Sequence, residues 1–371
     1  MAIALRLAAW AVCGAVVADC TREPPRQEKA ALEDSAYNGY PITLVTGQLL
    51  NDDSSLAGAS GIAIIGDVPV VLESRKSPII VFDGTLTRAT ATIGTYGWDQ
   101  GQFRSAWALS VVPESPSHAW VFDVDLHRFT RLPDLADGKS LRSARIVPLV
   151  SDAAILDAIP VTDSEFVALG TFNAGRIAFF DGSGRMVREA GKPPAGDDTI
   201  AMAVRQQAHQ GVLRMNPAGT TLAIASRYGT EVDIYSAAGE FVTRAASPLS
   251  IAPRFVAKMR GGYPTMATTD ETRVGYIDLA VTRRHIYALL SGRLEGSFGG
   301  RASFGTYVHR FDWQGRLEKV YRLLGAEVVS IAVDSGDHYL LALRAWPTPG
   351  IFRFQMDSSH QDGQSLSGGV R

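Results

Sequence analysis

The stretch Tyr307–Leu323, YVHRFDWQGRLEKVYRL, is two short β-branched and aromatic runs around Asp312-Trp313-Gln314-Gly315. An Asp at the first turn position can accept backbone N–H groups, and a Gly three residues on can take the left-handed conformation, so the pattern predicts a β-hairpin. It recurs. IIVFDG (79–84) precedes TRATATI (87–93), RIAFFDGSG (176–184) precedes RMVREA (185–190), and EVDIYSAAG (231–239) precedes EFVTRAA (240–246). In the last of these Ser236 stands where the Asp would, and a hydroxyl caps a turn but is a poor metal ligand. Asp83, Asp181 and Asp312 are therefore read as turn residues rather than as metal ligands or general bases.

Each of these hairpins follows another. GIAIIGDVPVVLES (61–74), ALSVVPESPSHAWVF (108–122) and LDAIPVTDSEFVALG (156–170) alternate apolar runs with turn residues. LRMNPAGTTLAIAS (213–226), IDLAVTRRHIYALL (277–290) and VSIAVDSGDHYLLAL (329–343) do the same. Together they make six units of four strands, a to d, with third strands ending near Phe82, Leu132, Phe180, Tyr235, Phe311 and Phe354. The sixth unit has no fourth strand, while PITLVTGQLL (41–50) is unpaired at the start. Closing the ring with that N-terminal strand removes both anomalies and an exposed sheet edge. The expected fold is all-β: a six-bladed β-propeller of four-stranded antiparallel blades over residues 41–356, with the Gly-rich insertion LSGRLEGSFGGRASFGTY (290–307) in the long step from Tyr235 to Phe311.

At this point the residues resemble known families. GTYGWDQGQFRSAWALSV (94–111) with HAWVFDVDLHRFTRL (118–132) is similar to an NHL-type repeat. The closing YVHRFDWQGRLEKVYRL, SIAVDSGDHYLLAL (330–343) and GIFRF (350–354) resemble the TolB-like six-bladed propellers of bacterial envelopes. The resemblance covers roughly residues 41–356 and rests on architectural motifs, so it implies a fold and a compartment and little about activity.

Composition narrows the function classes. With 36 Lys+Arg against 38 Asp+Glu, nothing in the net charge points to nucleic acid or to an anionic surface. Both cysteines, Cys13 and Cys20, lie in the first twenty residues, so the body holds no disulfide, cysteine metal site or thiol nucleophile. Residues 1–20 carry one Arg before an apolar run, Leu7 to Ala18, of signal-segment length and too short to span a bilayer. The run ends Val17-Ala18-Asp19-Cys20, which resembles a lipobox except at Asp19. Export is expected, by one of two routes: lipidation of Cys20, giving a periplasmic or outer-membrane-attached lipoprotein, or cleavage after Ala18, giving a soluble secreted chain. Residues 21–40 read as a polar linker and 357–371, poor in apolar residues to bury, as a disordered tail.

Strand direction sorts the loops. In each blade the a–b and c–d turns share one face of the disc; the b–c loops and the d-to-a connections share the other, around the mouth of the central channel. On that second face lie Arg75, Lys76, Asp123, Asp125, Arg128, Asn173, Arg227, Tyr228, Arg293, Arg301, Arg344 and Trp346, together with Trp98, Arg104, Trp107, Arg205 and His209 from blade connections and their flanks. Asp123 closes a second strand rather than a third, which separates it from the turn aspartates. The candidate ligand-binding residues at the channel mouth are Arg75, Arg104, Trp107, Asp123, His209, Arg227, Arg293 and Arg344, with Cys20 the lipidation candidate. Guanidinium groups suit carboxylates or phosphates, and aromatic neighbours suit sugar or planar surfaces.

The sequence contains no H-E-x-x-H, G-x-S-x-G or Walker pattern, and Gly296–Arg301 lacks the Lys-Ser/Thr of a phosphate loop. His118, His285 and His338 begin second strands on the opposite face, as hairpin residues. Two classes of function stay open. The first is a non-catalytic envelope module, monomeric and without cofactor, that binds a saccharide, an anion or an envelope protein. The second is a lactonase- or lyase-type propeller enzyme with a metal at the mouth, for which Asp123, His209 and Glu327 would be the acidic and imidazole groups.

Overall fold

The computed structural model describes residues 32–73, 78–113, 115–133, 135 and 141–356. The signal-like segment with Cys20, the tail after residue 356, and Arg75 and Lys76 of the first blade lie outside the described residues.

Six blades form, and in blades 1 to 5 the antiparallel strands lie in the chain order a-b-c-d. Blade 1 is Ala59–Ile65, Val68–Glu73, Ile79–Phe82 and Ala89–Ile93; blade 2 is Ala106–Val112, Ser115–Asp123, Arg128–Arg131 and Ile146–Pro148. Blade 3 is Ile155–Thr162, Glu165–Gly170, Ile177–Asp181 and Met186–Ala190; blade 4 is Gly211–Met215, Thr221–Ser226, Glu231–Ser236 and Phe241–Ala246. Blade 5 is Tyr276–Val281, His285–Leu290, Tyr307–Asp312 and Leu317–Leu324. Blade 6 has three consecutive strands, Val328–Val333, Tyr339–Arg344 and Gly350–Gln355. The six a strands touch in cyclic order, so the ring is closed.

The N-terminal strand Ile42–Asn51 supplies the missing fourth strand of blade 6 and does one thing more. Its second half, from Gly47, runs antiparallel to Ile351–Phe354, while Ile42–Thr46 runs parallel to Val320–Leu324 of blade 5. One strand thus fuses blades 5 and 6 into an eight-stranded sheet. Gly47 stands at the changeover because a Cβ there would lie 2.6 Å from the Phe354 ring. The segment before it, which composition places in the linker, is docked from Leu32 onward. Asp34–Tyr37 is a 3-10 turn whose Tyr37 is buried between blades 4 and 5.

Apolar burial is divided by blade. The described residues contain six core clusters, and each joins the facing sides of two neighbouring blades. Between blades 2 and 3, for example, Phe129 stacks on Phe166 at 4.5 Å, and Trp120 meets Phe166 edge-on at 5.2 Å. Outer strands such as Met186–Ala190 and Phe241–Ala246 are mostly exposed.

The turn aspartates do what the hairpin chemistry asks. Asp312 accepts the N–H groups of Gln314 (3.0 Å) and Arg316 (2.8 Å), and Gly315 has φ +83°. Asp181 accepts from Ser183 N (2.8 Å) and Arg185 N (3.1 Å), and in the serine variant Ser236 Oγ accepts from Glu240 N (3.2 Å). The Ser183 hydroxyl with these N–H groups holds the Asp181 carboxyl below the usual range, and the backbone and guanidinium of Arg316 do the same for Asp312. Asp312→Ala is expected to lower stability by about 1 kcal/mol in chemical denaturation and to leave ligand binding on the far face unchanged.

Candidate functional site

The b–c face of blade 2 is where backbone placement and side-chain chemistry meet. The connection from blade 1 returns through two short parallel-paired segments, Thr95–Tyr96 and Gln102–Phe103. Arg128 clamps the loop between them, donating from its guanidinium to the carbonyls of Trp98 (3.1 Å), Asp99 (2.9 Å) and Gln102 (2.6 Å). Asp123 fixes the other end. It is 0 % exposed, and its oxygens accept the N–H groups of Arg104 (2.7 Å), Ser105 (3.2 Å), Asp125 (3.1 Å) and Leu126 (3.0 Å). A carboxylate so engaged is a positioning group with no oxygen turned to the channel.

What Asp123 and Arg128 position is a cluster of flat rings around one cation. The Arg104 guanidinium lies 4.5 Å from the Tyr96 ring centre and 4.7 Å from that of Trp98. Tyr96 is 47 % and Trp98 60 % exposed, so both rings keep apolar surface open to solvent while they hold the guanidinium. Trp107, 38 % exposed, fills the bulge at the start of the inner strand, between Ala106 opposite Asp123 and Ala108 opposite Phe122. Asp125 is exposed beside them, its carboxyl raised by burial and by Asp123 and pulled back by Arg104.

The other candidate residues are engaged by the protein itself. Arg227 donates to Ser303 Oγ at 2.7 Å, bridging blades 4 and 5. Arg293, buried, forms a two-pronged pair with Glu327 (2.5 and 3.1 Å) across blades 5 and 6 and covers Phe298. Arg344 bonds the Thr348 carbonyl and hydroxyl, both at 2.8 Å, within its own loop. His209 follows helix α1 (Met202–Ala208). Burial and the nearby Arg176 push its imidazole down to about 4, so it stays neutral at ordinary pH. Asp123, His209 and Glu327 do not converge: among the described residues no three His, Cys, Asp or Glu side chains group as a metal ion would need.

Sequence reading passed over a second polar constellation, in the inner strands. Asp157 (blade 3) accepts the N–H of Leu213 in blade 4 at 2.8 Å, and Asp278 (blade 5) that of Ile331 in blade 6 at 2.9 Å. Ser330 (blade 6) accepts the N–H of Ile62 in blade 1 at 3.1 Å. Arg214 bridges the two carboxylates at 3.3 and 3.4 Å. The signal was present as a lone Asp or Ser in each of three apolar runs, LDAIPV, IDLAV and VSIAV. A cleft of about 660 Å³ at the rim between blades 3 and 4 is floored by Arg176, Asp233 and Arg244, whose charges already satisfy one another.

The fold and this mouth define a closed six-bladed propeller with an aromatic–cation cluster on one face. The chain belongs to the TolB-like six-bladed propellers: the family model described as TolB-like 6-blade propeller-like matches residues 109–336, more than half of the sequence. A search of curated proteins gives no match. Among solved structures the chain is similar to the crystal structure of the Cps50 (Swd1) β-propeller domain of Myceliophteria thermophila, with a TM-score of 0.47 and 12% identity over 84% of this chain and 100% of that one. At that distance the likeness carries no argument.

Proposed function

We propose that this propeller is a non-catalytic binding module of the cell envelope, exported by its N-terminal segment, that takes a saccharide at the mouth of blade 2. The observation that carries the reading is the Tyr96–Arg104–Trp98 cluster, with Asp125 close enough to Arg104 to feel its charge. Exposed rings offer flat apolar surface to the C–H face of a sugar ring. A guanidinium and a carboxylate at their edge offer a donor and an acceptor for hydroxyls. The arginines that would have made the mouth a general anion trap are already bonded to Glu327, Ser303 and Thr348, which favours the neutral over the anionic ligand.

Titration of intrinsic tryptophan fluorescence with soluble peptidoglycan and outer-membrane saccharide fragments tests this. One fragment class is expected to bind, and Trp98→Ala to weaken it about thirtyfold, the roughly 2 kcal/mol typical of an aromatic anchor buried in a complex. Arg344→Ala, whose side chain is engaged within its own loop, is expected to leave affinity unchanged. Binding unaffected by Trp98→Ala, or no binding by any fragment, would overturn the reading, and turnover of a bound fragment would move the protein to the lactonase or lyase class.

A further inference from the structure

Between the outer strand of blade 4 and the inner strand of blade 5 the chain makes an excursion that a four-stranded repeat does not require. Val256–Arg260 and Tyr263–Ala267 pair antiparallel around Gly261-Gly262, whose φ values of 57° and 85° form the tight two-residue turn. Among the described residues no other strand pairs with either edge of this ribbon. Its base is held: Gln207 of helix α1 accepts the Met266 N–H (2.8 Å) and the Thr265 hydroxyl (2.9 Å), and Arg254 pairs with Glu271 at 2.7 Å. Its tip is bare. Met259 is 68 % and Tyr263 49 % exposed, and none of Val256–Arg260 is buried.

The ribbon is also cationic. Residues 251–269 include Arg254, Lys258 and Arg260 and no acid, and neither Lys258 nor Arg260 has an ion pair among the described residues. The near-zero net charge of the whole chain conceals this local excess. The register places Lys258 and Arg260 on the same side as Tyr263, with Met259 on the other, so charge and apolar surface share one projecting tip. A convex tip offers no groove to a peptide. Cations flanking exposed Met and Tyr match the boundary between headgroups and acyl chains.

A second observation says where such a surface would be. The described chain begins at Leu32, packed against Gly292, where an added Cβ would lie 2.8 Å from Leu32 Cβ. Gly292 belongs to the b–c loop of blade 5, so the N-terminal segment enters on the same face as the ribbon and beside the blade that the ribbon precedes. Cys20 stands 12 residues before Leu32, a reach of at most about 40 Å. We infer that the hairpin 256–267 is a docking element for an anionic lipid surface, with Lys258 and Arg260 meeting headgroup phosphates and Met259 and Tyr263 entering the interface. The anchor reading of the N-terminus explains why a membrane would be near; the docking itself does not need the lipid.

All strands of the ring lie between Ile42 and Gln355, so a chain beginning at Thr21 keeps every described element. It is mixed with vesicles of phosphatidylglycerol and phosphatidylcholine, or of phosphatidylcholine alone, and sedimented. Binding to the anionic vesicles alone is expected, with release by about 0.5 M NaCl. At roughly fivefold per cation, Lys258→Glu with Arg260→Glu is expected to lower the partition coefficient at least about 30-fold. Arg88→Glu with Arg283→Glu, exposed on the opposite face, is expected to leave it unchanged. Failure of the unsubstituted chain to sediment, equal loss in both double variants, or retention by a polyglutamate peptide as strong as by vesicles would overturn the inference. The saccharide titration reads Trp98 at blade 2 and the sedimentation reads the ribbon at blade 5, so either can fail without the other.

Discussion

Asp278→Ala is expected to destabilise the propeller by about 3–5 kcal/mol, the cost of removing one partner of a buried charged network. The carboxylate is 7 % exposed and makes four contacts. Leu279 N (2.8 Å) and Arg214 Nη2 (3.4 Å) reach Oδ1, and Ser330 Oγ (2.5 Å) and Ile331 N (2.9 Å) reach Oδ2. Truncation orphans two backbone N–H groups and a hydroxyl, and it leaves Arg214 with only Asp157 opposite. Two of the lost bonds cross from blade 5 to blade 6, so the damage falls on the joint between blades. The register shows why this joint depends on it. The positions opposite Leu72, Phe122, Leu169, Ala225, Leu289 and Leu343 are Gly61, Ala108, Asp157, Val212, Asp278 and Ser330. At this position Asp157, Asp278 and Ser330 pin three joints through backbone N–H groups, and Arg214 of blade 4 adds a longer contact to Asp278 across a fourth. Asp278→Asn should recover part of the loss, since its carbonyl oxygen can still accept one N–H while its amide faces another donor. Urea denaturation, with an unchanged slope, measures the difference. A loss under about 1 kcal/mol for Asp278→Ala would show that the apolar clusters alone hold blades 5 and 6 together.

Such pins explain what the sequence could and could not disclose. Blade number, strand order and ring closure were legible because hairpin chemistry is local: an Asp and a Gly three positions on suffice, as at Asp312 and Asp181. The second role of Ile42–Asn51 was not, because parallel pairing to blade 5 depends on where the ring brings the chain and not on its own pattern. Residues of the mouth were named by face, yet their duties were not. Asp123, the carboxylate placed among the mouth residues, is buried under the backbone it holds, while Tyr96 was overlooked because a Gly-rich connection hides its exposure. Arg293 and Glu327 are 34 residues apart, and no local pattern tells a cation that greets a ligand from one already paired across a blade joint. The ribbon at 256–267 was missed because its strands are short and polar enough to read as loop.

The second large effect concerns pH. His309, on the third strand of blade 5, is fully buried between blades 4 and 5. Tyr276 from the inner strand of its own blade lies 2.7 Å from Nδ1, and Tyr37 from the N-terminal turn lies 2.9 Å from Nε2. Both tyrosine rings stand edge-on to the imidazole at 5.6 Å. The nearest acid in that network, Asp34, is spent on the Tyr307 hydroxyl (2.6 Å) and Arg322 (2.7 Å), leaving no anion to support a proton on the ring. Burial therefore pushes the imidazole down to about 3. The unfolded chain takes up this proton below about 6.5 while the folded one refuses it until about 3. His309 thus withdraws stability as pH falls through that window, by about 1.4 kcal/mol per unit. His209, pushed down to about 4, acts in the same direction. Asp157, raised to about 6 by burial, acts in the opposite one, because its carboxyl is held protonated in the fold before it is in the unfolded chain. The wild-type profile mixes these signs, so the informative quantity is a difference. His309→Gln keeps a donor and an acceptor between the two tyrosines but does not titrate. It is expected to be less stable than the wild type at pH 7, and the gap to close by about 3 kcal/mol by pH 4, as the wild type alone loses its neutral imidazole. Parallel denaturation series at pH 7, 5.5 and 4 measure the gap. A gap that stays constant across the series would mean that the imidazole between Tyr37 and Tyr276 titrates alike in the folded and unfolded chain.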